Sequence, residues 1–503
     1  MSSSHPGAVS SPQKLSVLRG AALYIGALLG PGLLLLPGLA AAQAGPASTL
    51  AWLALIGVSA LLAVVFAALG KAHPSAGGVI AYTAAGLGTR AGAAAGWCFL
   101  AGVICGAPVV CLIGASYLTD LTGGGRLLRC AAAAGLLLVV LGLAMGGVRA
   151  TTAVQMAFVA LLFAVIILAV AGSAPSARAA NWTPFAPHGW ASIGHAAAIL
   201  MLSFVGWEAT APLTPRLRDP ARQLPRVIAI ALATTTALYL GLAVTTIAVL
   251  GHGAGTDVPL ADLLRYAIGP AGRAAAAVAA VVLTLGATNA YLTGASAMAV
   301  DLTRRPGQQR HRRPARPFLA LIAAAGLLII GLYSLRLVTT AQLVTLPTTL
   351  FLAVYLGCTV SAARTLAGRA RYAALPALAA VIVVLLFSGW ALAITAAVAA
   401  TAALAAPSRA ERNPAAMPRR KYRKFSLRHP MSTRVRSKRL AAVQPHPLID
   451  PQQHASQPDQ GSPALLPRHV SAASWRARQS RTGCSWPLAD CSAVQTSSGV
   501  NGS

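Results

Sequence analysis

The sequence predicts an all-α integral membrane protein with about twelve transmembrane helices. Of the 503 residues, 56% are hydrophobic and 10% are charged, and the mean hydropathy is +0.66. This composition is too apolar and too poor in charge for a water-soluble protein. Apolar runs long enough to cross about 30 Å of hydrocarbon as helices recur along the chain. Positive charge alternates between the loops that separate them, as it does in multi-pass membrane proteins.

The charged residues divide the chain near residue 406. Residues 1–406 contain 24 Lys and Arg against 6 Asp and Glu, and residues 407–503 contain 16 against 4. The second stretch is rich in Pro, Ser, Gln and Arg, with clusters such as "PRRKYRKFSLRHP", so we predict a basic disordered tail. The expected organisation is a cytoplasmic segment (1–14), a membrane domain (15–406) and this cytoplasmic tail (407–503).

The tail has three possible interpretations. Contact of its basic residues with anionic lipid headgroups is the favoured one, and an incidental extension is the alternative. Nucleic-acid binding is not expected, because basic charge alone indicates it only weakly.

Twelve apolar runs define the predicted spans. They lie at about 20–44, 47–69, 92–119, 127–146, 151–172, 191–213, 226–250, 272–299, 317–335, 339–362, 372–387 and 389–406. The first run is too long for the core of a cleaved signal peptide, so we interpret it as a retained span. The last two are inferred from length, because the final uncharged stretch is too long for one span and fits two that turn at Ser388-Gly389.

The positive charges of the loops predict the orientation. With the N-terminus inside, 18 Lys and Arg lie on the cytoplasmic side and 6 on the outer side, the bias expected of a membrane protein. Trp182 and Trp190 then fall where an outer aromatic belt is expected. We therefore predict a multi-pass plasma membrane protein with both termini in the cytoplasm.

The motifs of enzymes and primary pumps are missing from the sequence. It contains no HExxH, GxSxG or P-loop sequence, and its seven cysteines show no CxxC spacing. We therefore expect no catalytic residue, no metal site and no cofactor.

Two of the predicted spans are interrupted near their midpoints. The first reads "YIGALLGPGLLLLPG", with Gly30, Pro31 and Gly32 together, and the sixth reads "SFVGWE", with Gly206 between bulky residues. Either break alone could simply permit a kink or close helix packing. Paired breaks in corresponding places of two halves instead indicate a transporter's substrate site within an inverted repeat.

The backbone groups freed at such breaks suit the two ends of an α-amino acid. Amides near a half-helix N-terminus favour a carboxylate, and freed carbonyl oxygens favour an ammonium group. The expected amides are those of Gly30, Gly32 and Leu33, and the expected carbonyls are those of Leu28, Leu202, Ser203 and Val205. The neighbouring side chains, Leu28, Leu202, Phe204 and Trp207, are apolar, so the ligand's side chain is expected to be neutral and apolar as well.

Glu208 is the one carboxylate that the sequence places at membrane depth. An isolated charge is costly to bury there, so an intramembrane acid indicates a functional site. A carboxyl group buried in a low-dielectric environment can stay neutral until a conformational change brings it into contact with water. A proton-coupled gate requires that behaviour. A polycationic ligand would need several carboxylates, and the sequence places only Glu208 at this depth, so such a ligand is not expected.

Three stretches of the sequence resemble the amino acid–polyamine–organocation (APC) permease superfamily, over about residues 12–406. They are "GALLGPG" in the first span, "FAALGKAHPSAGGVIAYTAAGLG" after the second, and "FVGWEATAPLTPRLRDPARQLPRVI" across the sixth. Within the superfamily, the short core and the Pro-Ser-Ala-Gly-Gly sequence look most like small bacterial exporters of methionine and branched-chain amino acids.

The resemblance implies a five-plus-five inverted repeat (the LeuT-like fold) with two added helices and broken first and sixth spans. It implies alternating access driven by protons or by exchange. Carried over by position, Phe204 and Trp207 would be gates and Glu208 would couple protons. The implied substrate-binding residues are Leu28, Gly30, Pro31, Gly32, Leu202, Ser203, Val205 and Gly206. Two positions depart from the pattern: Pro31 replaces a frequent Ser or Thr, and Arg216 replaces a usual Glu.

The resemblance leaves several alternatives open. The leading prediction is export of neutral amino acids. The alternatives are uptake by the same architecture and an amino-acid sensor that signals through the tail. Hydroxyls and an amide of the eighth span could bind sodium or simply bond back to helix carbonyls: Thr284, Thr288, Asn289, Thr293 and Ser296.

Overall fold

The computed structural model describes residues 15–73, 78–146, 152–210, 217–303 and 316–406, and these ranges are almost entirely helical. The N-terminal segment 1–14 and the tail 407–503, predicted to be cytoplasmic, lie outside the described residues. Arg216, one of the two departures from the superfamily pattern, lies outside them as well.

Fifteen α-helices lie within the described ranges. They are α1 (Val17–Leu28), α2 (Leu36–Ala44), α3 (Ser48–Ala72), α4 (Gly78–Leu87), α5 (Thr89–Thr122), α6 (Arg126–Met145), α7 (Thr152–Ser173), α8 (Ala191–Leu200), α9 (Pro220–Leu250), α10 (Pro259–Ile268), α11 (Ala271–Thr303), α12 (Arg316–Ser334), α13 (Thr340–Thr365), α14 (Arg369–Leu386) and α15 (Trp390–Ala405). Short 3-10 helices lie at Pro31–Leu34, Gly45–Ala47, Ala174–Ser176, Ala179–Trp182, Met201–Phe204, Trp207–Thr210 and Gly251–Ala254.

The predicted all-α membrane protein is confirmed. Nine segments of the described chain are long and apolar enough to cross a membrane. Four shorter apolar helices accompany them: Val17–Gly26, Gly78–Leu87, Ala191–Phe204 and Trp390–Ala405. The long apolar stretch before residue 406 forms two helices, α14 and α15, with Ser388 and Gly389 in the turn between them.

Local sequence signals fix several helix starts. Thr339 and Gln342 form a reciprocal capping box at the start of α13, which satisfies amides that have no partner within the helix. The carboxylate of Asp219 caps α9 by accepting from the backbone amide of Arg222, and Pro220 follows at the first helical position. A proline there loses nothing, because its missing N–H would have no intrahelical acceptor.

Contacts between helix ends define two faces of the bundle. On one face, Leu15 just before α1 forms an isolated bridge with Leu217, which precedes α9. On the other, Arg126 at the start of α6 donates to the carbonyl of Tyr333 at the end of α12, 2.8 Å away. We call these the N-terminal face and the far face. The charge bias of the sequence predicts that the far face is the outer one.

Helix α5 runs through the middle of the bundle and packs against α11, α13 and α6. Glycines allow these neighbours to approach closely. A Cβ atom at Gly114 would lie 2.6 Å from Oγ1 of Thr284 on α11, and one at Gly102 would lie 3.1 Å from the ring of Phe351 on α13. Small residues at helix crossings are a general feature of membrane bundles. Here they bring α11 and α13 close to the two broken segments.

Candidate functional site

The first break lies between α1 and α2. Helix α1 ends at Leu28, Gly30 is extended (φ −78°, ψ 167°), and Pro31 begins a 3-10 turn that leads to α2. Gly26 lies inside α1, so the helix continues past this glycine and the break begins only after Leu28. A Cβ atom at Gly30 would meet nothing within 4 Å. The break therefore borders open space.

The second break follows α8. A 3-10 turn over Met201–Phe204 leads to Val205, which is extended, and to Gly206, whose φ is 147°. Only glycine adopts that φ without strain. A second 3-10 turn, Trp207–Thr210, follows directly. Gly206 thus allows the non-helical backbone conformation between the two 3-10 turns.

The two breaks are adjacent, and a tyrosine of α9 connects them. A Cβ atom at Gly32 would lie 4.0 Å from Cδ2 of Leu202. The hydroxyl oxygen of Tyr239 is 2.8 Å from the carbonyl oxygen of Leu28 and 2.6 Å from that of Ser203. The single hydroxyl proton is therefore shared between the last carbonyl of α1 and a carbonyl of the second break. Buried carbonyls that leave a helix need such partners.

Glu208 lies directly beyond the second break, and its side chain is held from two sides. Its Oε2 atom accepts from the amide of Gly206 at 3.0 Å and from the hydroxyl of Tyr355 on α13 at 2.6 Å. Glu208 is 7% exposed and is the one charged residue in the buried set, among the residues whose side chains the structure describes.

The Tyr355 hydroxyl is a branch point of this network. It accepts from the Gly206 amide at 3.1 Å, and the carbonyl oxygen of Phe204 lies 3.3 Å away as a second acceptor for its proton. Oε2 of Glu208 is much nearer, at 2.6 Å, so the Tyr355 hydroxyl donates its hydrogen bond to the carboxylate when that group is charged. A protonated Glu208 could instead donate a hydrogen bond to the hydroxyl oxygen of Tyr355. The Tyr355 hydroxyl would then donate to the carbonyl oxygen of Phe204.

The two residues expected to act as gates are both buried. Phe204 is 3% exposed and packs against Tyr239 and Trp52, with ring centroids 5.1 and 6.0 Å away. Trp207 is fully buried, and its indole N–H donates to the Ser59 hydroxyl of α3 at 2.9 Å. Both side chains are therefore packed inside the bundle beside the second break, and their role as gates stays a prediction.

Several backbone groups expected to be free have partners within the protein. The carbonyls of Leu28 and Ser203 accept from Tyr239, the Gly30 amide donates to Leu28, and the Leu33 amide donates to Gly30. The Ser203 hydroxyl is buried without a hydrogen-bond partner in the described part of the chain. A ligand at the breaks would have to exchange places with some of these internal bonds.

The polar side chains of α11 divide into two groups. Thr293 makes the back-bond to a helix carbonyl, that of Asn289, at 2.8 Å. The hydroxyls of Thr284, Thr288 and Ser296 are buried and find no hydrogen-bond partner among the residues that the structure describes. Back-bonding therefore accounts for Thr293 but not for these three residues.

Tyr239, Tyr355 and Ser59 are site residues that the sequence pattern did not single out. A buried tyrosine hydroxyl in an apolar span requires a partner, and this was the signal available for Tyr239 and Tyr355. Their partners, however, lie 36 to 211 residues away in the chain. The packing of α9 and α13 alone brings them together.

Comparison with known proteins agrees with this architecture. The profile of the amino acid permease family matches residues 15–408. The uncharacterized amino acid permease YecA of Bacillus subtilis (strain 168) is 32% identical over 77% of this chain and 94% of its own length. The L-methionine/branched-chain amino acid exporter YjeH of Escherichia coli (strain K12) is 27% identical over 75% of this chain and 92% of its own length.

A third relative matches a shorter part of the chain. The branched-chain amino acid permease BcaP of Bacillus subtilis is 27% identical over 49% of this chain and 57% of its own length. Two of these relatives are named permeases and one is named an exporter, which indicates transport and not catalysis. The resemblance seen in the sequence is confirmed: the chain is a multi-pass membrane protein of the amino acid permease family, within the amino acid–polyamine–organocation superfamily.

Proposed function

We propose that this protein is a secondary active transporter that exports neutral, apolar amino acids, such as methionine or the branched-chain amino acids, by alternating access. The observation that carries the proposal is the pair of adjacent helix breaks joined by Tyr239, with a buried carboxylate held beside the second. Broken helices near the middle of a membrane bundle form the substrate and coupling-ion sites of many secondary transporters.

The surroundings of the breaks support an apolar amino acid as the substrate. Backbone groups of Gly30, Gly32 and Val205 would meet its charged ends, and Leu28, Leu202 and Phe204 supply apolar surface. Two relatives carry names that point to the same class, the L-methionine/branched-chain amino acid exporter and the branched-chain amino acid permease. Among the residues whose side chains the structure describes, Glu208 is the one buried carboxylate, and Tyr355 and Gly206 already hold it, so these residues offer no second buried acid to a cationic side chain.

Glu208 is the proposed proton-coupling residue. Burial favours the neutral form of a carboxyl group, and hydrogen bonds donated to it favour the charged form. The two effects oppose one another at Glu208, and each depends on the local position of Gly206 and Tyr355. Movement of the second break or of α13 would change both effects, so proton binding and helix movement are coupled there. The alternative is that transport is driven by the exchange of one amino acid for another across the membrane.

The direction of transport is proposed from the relatives and from the charge bias. The match to an exporter, over 75% of this chain and 92% of the exporter's own length, favours export. The excess of Lys and Arg in the loops of the N-terminal face supports a cytoplasmic location for that face and for both termini. Alternating access is reversible, so uptake by the same site is the alternative, and the imposed gradients decide between them.

The test is flux of labelled methionine and leucine in liposomes that contain the purified full-length chain. We expect efflux that accelerates when a proton gradient is imposed and that competes with valine and isoleucine but not with lysine or glutamate. Glu208→Gln is expected to transport without responding to the gradient. Protein-free liposomes give the background. An absence of flux for every amino acid would reject the proposal, and flux that requires amino acid on both sides would assign exchange.

A further inference from the structure

The loop that joins α9 to α10 lies against α2, the half of the first broken segment that leads from the site to the far face. A Cβ atom at Gly38 would overlap the carbonyl oxygen of Thr256, and one at Gly255 would lie 3.1 Å from Cβ of Ala42. The backbone of this loop therefore rests directly on α2. A glycine at position 38 is what permits so close an approach.

The next residue of the loop is tied to a different part of the bundle. Asp257 forms an ion pair with Arg129 on α6, with 2.7 Å between Oδ2 and Nη1. Arg129 also donates to the hydroxyl of Tyr333 on α12 at 3.1 Å, and the guanidinium of Arg126 stacks 4.8 Å from the centre of the same ring. Asp257 is thus attached to an arginine that α6 and α12 already hold in place.

The position of the two arginines supports a specific role. Both lie in the first turn of α6 or directly after it, where the helix dipole disfavours positive charge. Helix stability therefore does not explain their presence. Their contacts with Asp257 and Tyr333 do.

A tyrosine of α5 connects the first break to α10 in the same region. The hydroxyl of Tyr117 donates to the carbonyl of Leu34, at the end of the first break, at 2.6 Å, and has a hydrogen bond with the backbone of Leu260 in α10. A second ion pair, between Asp120 and Arg273, joins α5 to α11 at 3.6 Å. On the far face, the route along α2 is therefore covered by the loop and by its attachments.

We propose that the Arg129–Asp257 ion pair is a lock that keeps the far face closed, and that it breaks whenever the substrate passage opens on that face. Thr256 rests on α2 and Asp257 is tied to α6, so any outward movement of α2 that carries the loop with it must break the pair. The side chains are 25% and 36% exposed, so water can solvate both charges once they separate, which makes the lock reversible. The inference rests on the alternating access of the proposed function.

The test measures access to α2 and needs no transported substrate. The seven native cysteines are replaced, Leu36, which is fully buried on α2, is changed to Cys, and intact cells are treated with a membrane-impermeant maleimide. We expect Asp257→Asn to accelerate labelling about tenfold, as expected for the loss of a hydrogen bond between charged groups. The exchange of charges, Arg129→Asp with Asp257→Arg, is expected to return the rate most of the way to that of the parent.

Arg265→Gln is the matched control, because this arginine of α10 lies over the ring of its neighbour Tyr266 and takes no part in the lock. It is expected to label at the parent rate. A Cys in place of Trp190, which is 68% exposed on the far face, reports whether that face is outside. If the cysteine at position 190 is not labelled in intact cells, the proposed orientation is wrong. The ratios between the labelling rates of the variants and the parent are then expected to be the same in inverted vesicles. Parent-like labelling of Asp257→Asn, or an exchanged variant as fast as the single one, would overturn the lock.

Discussion

The phenolic oxygen of Tyr355 lies 2.6 Å from Oε2 of Glu208. The two residues are 147 positions apart and belong to α13 and to the second broken segment. The contact therefore attaches the backbone turn at Gly206 to a helix of the surrounding bundle through one titratable group. A change in the charge of that group changes the attachment.

The first prediction separates the two members of this pair. Glu208→Gln keeps the size of the side chain but cannot exchange a proton, so flux should continue without responding to pH. Tyr355→Phe leaves the carboxyl group in place and removes one hydrogen bond to it. A hydrogen bond to a charged group contributes about 1.5–3 kcal/mol, so we expect a flux at least about tenfold slower that still responds to pH. The measurement is initial flux across a pH series.

Tyr266→Phe serves as the control for the loss of a tyrosine hydroxyl, since Tyr266 is 48% exposed on α10. It should behave like the unmodified protein. A Glu208→Gln variant with an unchanged pH profile would remove Glu208 from the coupling mechanism.

The second prediction concerns Tyr239. Tyr239→Phe leaves the carbonyls of Leu28 and Ser203 without the hydroxyl that both share. Loss of a partner for a buried polar group costs about 1–3 kcal/mol, so we expect a lower melting temperature in detergent. We also expect a higher KM, because the two breaks lose the bond that sets their spacing. Tyr372→Phe, at a residue 75% exposed, should change neither value, and an unaltered KM in Tyr239→Phe would contradict the positioning role.

The third prediction compares two glycines of the breaks. Gly206 has a φ of 147°, so Gly206→Ala should strain the backbone by about 1–3 kcal/mol and lower the melting temperature. Gly30 has an ordinary φ and open space where a Cβ atom would lie, so Gly30→Ala should fold normally. Its methyl group would instead occupy space at the site and raise KM more for leucine than for alanine. Equal KM changes for both substrates would show that the space beside Gly30 is not part of the site.

The parts of the site that the sequence predicted depend on local chemistry. Proline removes an amide donor and glycine permits unusual dihedrals, so Pro31 and Gly206 indicate breaks from their own positions. Glu208 is conspicuous because charge is costly at that depth. The turn at Ser388-Gly389 follows from length, since the uncharged stretch around it is too long for a single span.

The parts that the sequence did not predict depend on tertiary packing. Nothing near Tyr239 in the chain indicates that its hydroxyl meets Leu28, because α1 and α9 are brought together only by the folded bundle. For the same reason, the carbonyls of Leu28 and Ser203 were expected to be free for a ligand, whereas the structure gives them a tyrosine partner. A break in a helix can be predicted locally, but the group that satisfies it cannot.

The last prediction concerns Asp262 in α10, outside the segments long enough to span a membrane. Burial raises the pKa of this carboxyl group above its usual value, and neighbouring Asp120 adds to the effect, while a hydrogen bond with Thr256 and the charges of Arg265 and Arg273 oppose it. The folded protein therefore holds the proton more tightly than the unfolded chain does. The free energy of unfolding should then fall as pH rises from the ordinary Asp pKa of about 3.9 through the raised value.

Asp262→Asn removes this titration and can still hydrogen bond with Thr256. We therefore expect the variant to melt at a higher temperature than the unmodified protein at neutral pH, with the difference shrinking to nothing as the pH falls below about 4, where the carboxyl group is neutral in both states. Asp219→Asn is the control, because asparagine caps a helix about as well as aspartate does. A difference in melting temperature that stays constant between neutral and acidic pH would mean that packing at position 262, and not its charge, sets the stability of α10.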